Sequence, residues 1–145
     1  MVDKNRTEYE IFADIICNFE NIQFGMVIHI GRLIRDFDVA REIFGQANIT
    51  FSFIENTLKK LVKLKVKDKD TIKKYDNFFK MNIKAKGYRN EVAHSGYGLD
   101  FNIEGELERK YVVGRNSQEL DKETLQKYDK HIVETRQRII FYVRL

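Results

Sequence analysis

No proline occurs in the 145 residues, although average usage of roughly 5% would supply about seven. Without its locked φ and missing N–H, nothing in the chain forces a long helical ladder to break. Cysteine is limited to Cys17, which excludes an intrachain disulfide and with it the small disulfide-stapled folds; a lone cysteine of this kind reads as a small core residue. The first residues lack the charged, apolar and small-residue succession of a secretory signal. The chain therefore reads as cytoplasmic, with no membrane partner. Internal repeats, low-complexity tracts and linkers are also missing, so residues 1–145 are expected to form one domain.

What is present suits a packed globule. Hydrophobic residues make up 43% and charged residues 33%, enough to build a core without the composition of a disordered tail. Basic side chains outnumber acidic ones by 26 to 22. The resulting pI of 9.1 favours polyanionic partners such as nucleic acid, although only mildly.

Apolar residues recur every three or four positions at Phe12, Ile16, Phe19, Met26, Ile30, Leu33 and Phe37, with Gln23 the exception between Phe19 and Met26, and Ile15, Ile22 and Ile34 widen the stripe. The phase survives Gly25 and Gly31, so the pattern predicts one helix of roughly thirty residues. Each glycine costs such a helix about 1 kcal/mol, so both are expected to mark close approach by another helix. Ser52 and Glu55 have capping-box spacing, and a second helix is expected near 51–65. Eight lysines lie between Lys59 and Lys74 and read first as a solvated face. Periodicity resumes from Ile72 to Val92, with Ser95-Gly96 as a stop, giving a third helix at about 71–95. Period-two runs around Leu99–Ile103 and Leu107–Val113 predict a β-hairpin or irregular arm over 97–116. Asp121, flanked by Leu120 and Leu125, predicts a capped final helix at about 122–143. The whole is all-α, four helices with one inserted arm.

One segment concentrates chemistry. In Arg89-Asn90-Glu91-Val92-Ala93-His94-Ser95, taking Arg89 as 0° and 100° per residue, Ala93 falls near 40°, Asn90 near 100° and His94 near 140°. A fixed cation, an amide and an imidazole thus share one arc around a small residue, and Val92 on the other side continues the apolar stripe. The arc is expected to face away from the core, into a groove shared by two copies. Cleavage of RNA by internal transfer needs a base for the 2′-hydroxyl, a cation for the phosphoryl oxygens and an acid for the leaving oxygen. Histidine can be base or acid near neutral pH, and the arginine fork fits a phosphate. Nothing nearby has metal-ligand spacing, so neither metal nor cofactor is expected.

Arg89-Asn90-x-x-Ala93-His94-Ser95 resembles the R-N-x-x-x-H signature of HEPN domains. The long amphipathic first helix, the Phe44-Gly45 and Thr50-Phe51 stretches before the second, and a terminal helix after an insert extend the resemblance over most of the chain. It implies an up-and-down four-helix bundle, a homodimer, and a composite ribonuclease cleft to which each copy supplies Arg89 and His94, with Asn90 in support. On this resemblance the chain is a metal-independent endoribonuclease of single-stranded RNA. It also implies a toxin or abortive-infection role, with an antitoxin or regulatory protein as a further partner. The rival reading is a non-catalytic dimerisation module that binds RNA or a nucleotide. An Arg five residues before a His arises by chance about 0.2 times in a chain of this composition, so the pair alone decides nothing.

Around the motif, Lys73 and Lys74 are candidates to guide a phosphate backbone, and Tyr88, Ser95 and Tyr97 to touch RNA. His29, inside the first helix, reads as a satisfied core or interface imidazole, and His131 as surface.

Overall fold

The computed structural model describes residues 5–115 and 118–144, with Tyr97 described by its backbone alone. It is mostly helical. Five helices, α1 (Glu8–Ile34), α2 (Phe37–Phe44), α3 (Phe51–Lys65), α4 (Lys69–Ala93) and α5 (Lys122–Gln137), surround one core; β1 (Gly96–Phe101) and β2 (Leu107–Val113) form a hairpin between α4 and α5.

Helix α1 is the hub, packing against α2, α3, α4 and α5. A capping box starts it: the Glu10 N–H donates to Thr7 Oγ1 at 3.2 Å while the Thr7 N–H donates to the Glu10 carboxylate at 2.9 Å. Its buried stripe is turned from the expected one. Ile11, Ile15 and Ile22 are fully buried, whereas Phe12 and Ile16 only border the core. By length and composition α1 is apolar enough to cross a bilayer, as core helices of globular proteins also are.

The single long helix expected through Phe37 instead ends at Ile34. Arg35 adopts a left-handed conformation (φ 61°), and Asp36 caps a new helix by accepting from the Val39 N–H at 3.0 Å. Phe37 continues the spacing by coincidence, since it belongs to α2. The two glycines mark close approaches as expected: a Cβ on Gly25 would lie 2.9 Å from Ile139 Cγ2, and one on Gly31 2.9 Å from the Phe37 Cα.

Helix α3 spans 51–65 as read, but Thr50 caps it rather than Ser52. Glu55, freed from the expected box, turns inward to accept from buried Asn82 of α4, with Lys59 and Lys86 each 3.6 Å away. Asp68 caps α4 and Asp121 caps α5. Past Gln137 the last helix widens into a π turn at Arg138–Tyr142.

The hairpin is regular from Gly96↔Val113 to Asp100↔Arg109 and slips by one residue at Phe101↔Leu107. Its base is tied to the core by buried Val112 and Leu120, whereas Leu99, Phe101, Ile103 and Leu107 towards the tip are exposed.

His29 meets the expectation of a satisfied core imidazole. Its Nε2 lies 2.7 Å from the Ile139 carbonyl and its Nδ1 2.6 Å from the Tyr75 hydroxyl. A carbonyl can only accept, so Nε2 carries the proton and Nδ1 accepts from Tyr75. Two other assignments are corrected. Cys17 is exposed, on the outer face of α1. His131 is half-buried and bonds the Met81 carbonyl at 2.8 Å through Nε2, which joins α5 to α4.

Candidate functional site

The last turns of α4 carry the motif, and the structure divides it. Arg89 and Asn90 are half-buried in a cleft of about 540 Å³ formed where α4 passes α1 and the N-terminal end of α3. His94, the C-cap of α4, is exposed and does not line that cleft. The expected arc is therefore only partly outward: Arg89 is turned towards α1, while Ala93 and His94 face solvent and Val92 is buried as expected.

The inward turn has an aromatic cause. The Arg89 guanidinium carbon sits 5.5 Å from the centre of the Phe19 ring, and Phe19 is stacked on Phe51 with centroids 4.4 Å apart. A planar, weakly hydrated guanidinium is favoured over an aromatic face. Arg89 Nη1 donates to Asn90 Oδ1 at 3.4 Å, and its Nε is buried with no hydrogen-bond partner. Among the described residues no carboxylate oxygen lies within 4 Å of this guanidinium, although Glu20 lines the cleft. A half-buried cation with no carboxylate at ion-pair distance attracts an anion.

Lys86, one turn before Arg89, brings a second cation, its Nζ 3.3 Å from Ser52 Oγ and 3.6 Å from the Glu55 carboxylate with which it is paired. Gln23, Gln46 and Thr50 add amides and a hydroxyl around it. The spacing of Lys86 and Arg89 put them on one helix face and could have been read from the sequence. The loop residues from Gly45 to Ser52 offered no such signal, because only the fold carries that loop to α4.

The remaining candidates are scattered. Lys73 and Lys74 are exposed near the start of α4, about 24 Å along the helix from Arg89. Tyr88 points to the opposite side, stacked on Tyr128 with centroids 4.1 Å apart and edge-on to His131. Burial raises the Tyr128 phenol above its ordinary pKa, and nearby Glu91 adds to the effect. Packing thus occupies one face of the Tyr88 ring. Ser95 is half-buried and its hydroxyl donates back to the Val92 carbonyl. The backbone of Tyr97 lies in β1, paired with Val112, and its side chain lies outside the described residues.

No group of three or more His, Cys, Asp or Glu side chains able to hold a metal occurs among the described residues. No family model matches the chain, and neither a curated protein nor a solved structure is detectably similar to it.

Proposed function

We propose that the chain is a HEPN-type, metal-independent endoribonuclease that acts on single-stranded RNA as a cytoplasmic homodimer. The observation that carries this reading is the Arg89 guanidinium, half-buried on an aromatic ring, with Asn90 beside it and, among the described residues, no carboxylate oxygen within 4 Å. Such a group is arranged to receive an anion, and the imidazole of His94, exposed at the C-cap of the same helix, is the group that would transfer protons in this reading.

In this reading two motif ends meet across a two-fold axis, so that the His94 missing from each cleft comes from the second copy. One imidazole removes the 2′-hydroxyl proton. The freed oxygen attacks phosphorus, and the five-coordinate phosphoryl group is held by the two guanidinium forks. The other imidazole gives its proton to the departing 5′-oxygen. The products are a 2′,3′-cyclic phosphate and a free 5′-hydroxyl. Proton transfer of this kind contributes on the order of 10²–10⁴-fold, and removal of one charge-stabilising donor costs roughly 10²–10³-fold. A toxin or abortive-infection role held in check by a protein partner accompanies this proposal.

The separation of His94 from the Arg89 cleft within one copy favours a second reading, a module that binds RNA or a nucleotide without cutting it. Labelled single-stranded RNA in EDTA distinguishes the two. We expect wild-type protein to cleave, Arg89→Ala and His94→Ala each to lose on the order of 10²-fold or more, and Arg89→Lys to recover little, since an ammonium lacks the planar fork. RNA left whole by the wild type, yet bound through Arg89, establishes the module instead.

A further inference from the structure

Two features of the chain have no part in that chemistry. The first is a groove of about 540 Å³ between the C-terminal half of α3 and the first half of α4. Val62, Phe79 and Ile83 contribute its apolar surface, and Lys59, Lys63 and Lys80 line it with positive charge. Asp76 is the sole carboxylate among its lining residues, and Ile83 is 66% exposed. The second is the outer part of the hairpin. Residues 99–108 contain Asp100, Glu104, Glu106 and Glu108 and no basic residue; Asp100 is paired with Arg109 at 3.8 Å, which leaves the three glutamates nearer the tip as its acidic groups. Between them Leu99, Phe101, Ile103 and Leu107 are all exposed, Ile103 to 97%. An acidic apolar tip and a lysine-lined apolar groove are complementary in both charge and hydrophobicity, and each leaves apolar surface in water that a partner can cover.

We infer that two copies exchange hairpins, the acidic apolar tip of each seating in the lysine-lined groove of the other. This rests on the two-copy reading of the motif but not on its chemistry. Position along α4 supports it. On the helical wheel that sets Arg89 at 0°, Phe79 falls near 80° and Ile83 near 120°, within the arc from Arg89 to His94. Groove and motif thus share one face of the helix. They are separated along it by about 17–22 Å, counted from His94 back to Ile83 and Phe79. The hairpin springs from Gly96, immediately past the motif, and its six-residue first strand is about 20 Å long. A hairpin leaving one motif end therefore has the length needed to run over the partner's α4 as far as the partner's groove. Reciprocal exchange closes the pair at two copies, whereas a one-way contact would grow into a chain.

The test is the dissociation constant of the dimer, measured by sedimentation for the full chain with Ile103→Asp in the tip and, separately, with Ile83→Asp in the groove. Both positions are exposed, so folding is expected to survive, and far-ultraviolet circular dichroism checks it. We expect each variant to dissociate at least about tenfold more readily, high salt to weaken the wild type, and a mixture of the two variants to associate better than either alone. The mixture recovers because one unaltered tip then meets one unaltered groove. A monomeric wild type overturns the inference. So does a dimer indifferent to both substitutions but broken by Ala93→Arg on the motif face, a result that leaves the composite nuclease site standing. Loss of RNA cleavage with hairpin exchange intact would have the opposite meaning, removing the nuclease and keeping the exchange.

Discussion

At the scale of single residues, two side chains carry most of the physical content, and they differ in how their polarity is met. Arg89, at the surface of a cleft, has a buried Nε with no hydrogen-bond partner among the described residues, whereas both ring nitrogens of His29 are bonded in the core. Burial holds the His29 pKa at about 4, below its ordinary 6.5; the positive charge of Arg32 adds to this, and the hydrogen bond to the Ile139 carbonyl opposes it. Protonation would put a second donor against the Tyr75 hydroxyl. Between pH 6.5 and 4 the unfolded chain binds a proton at this site that the folded chain refuses, so stability falls as pH is lowered through that window. The full loss is of order 3 kcal/mol. Denaturant unfolding at a series of pH values is expected to show this decline in the wild type and a flatter profile in His29→Leu; equal slopes in the two proteins would show that His29 is not its source.

At the scale of elements, α4 is the decisive piece, since the cleft, the groove and the hairpin's point of departure all belong to it. It was also legible in the sequence, as were α3, the hairpin and the Asp121 cap, because each is specified by local periodicity and local turn chemistry. Helix α2 was not. Its eight residues are too few for a clear period, and Phe37 happens to fall in phase with α1. The Thr50 cap was hidden by Ser52 and Glu55, whose spacing suits a capping box until the tertiary pull of Asn82 on Glu55 is known. Half of the site was equally hidden. The motif names Arg89, Asn90 and His94, but no local rule places Arg89 on Phe19, or brings Gln23 and the loop before α3 to its side. Long-range contacts made these, as they made the exposed Cys17 and the bonded His131.

The α1 and α2 junction offers a clean check at this scale. Gly31→Ala adds a Cβ that meets the Phe37 backbone at 2.9 Å, where a helix cannot yield as a flexible side chain can. The substitution gains about 1 kcal/mol of helix propensity and loses roughly 1–3 kcal/mol to overpacking. We expect a net loss of stability in thermal unfolding, with amides of α2 exchanging fastest; a more stable variant would mean that α2 does not pack on Gly31.

At the scale of the whole molecule, one copy holds the two halves of the proposed site apart. Arg89 faces a cleft that His94 does not line, and in the proposed motif-to-motif dimer the second copy would supply the missing imidazole. Net charge is consistent with the polyanion it would hold: the excess of four positive charges gives long-range attraction that salt weakens. The exchanged hairpins would add the force that keeps two such ends together.

The central claim is that two copies of the motif share one cleft, and the distance between the two His94 positions tests it most directly. The exposed Cys17 is first replaced by Ser, residue 94 is changed to Cys and spin-labelled, and the dipolar coupling between copies is measured. We expect a single short distance, below roughly 20 Å, because both side chains must reach one phosphate. Absence of any coupling between copies, or a distance beyond the ~37 Å length of α4, would place the motifs apart and contradict the composite site.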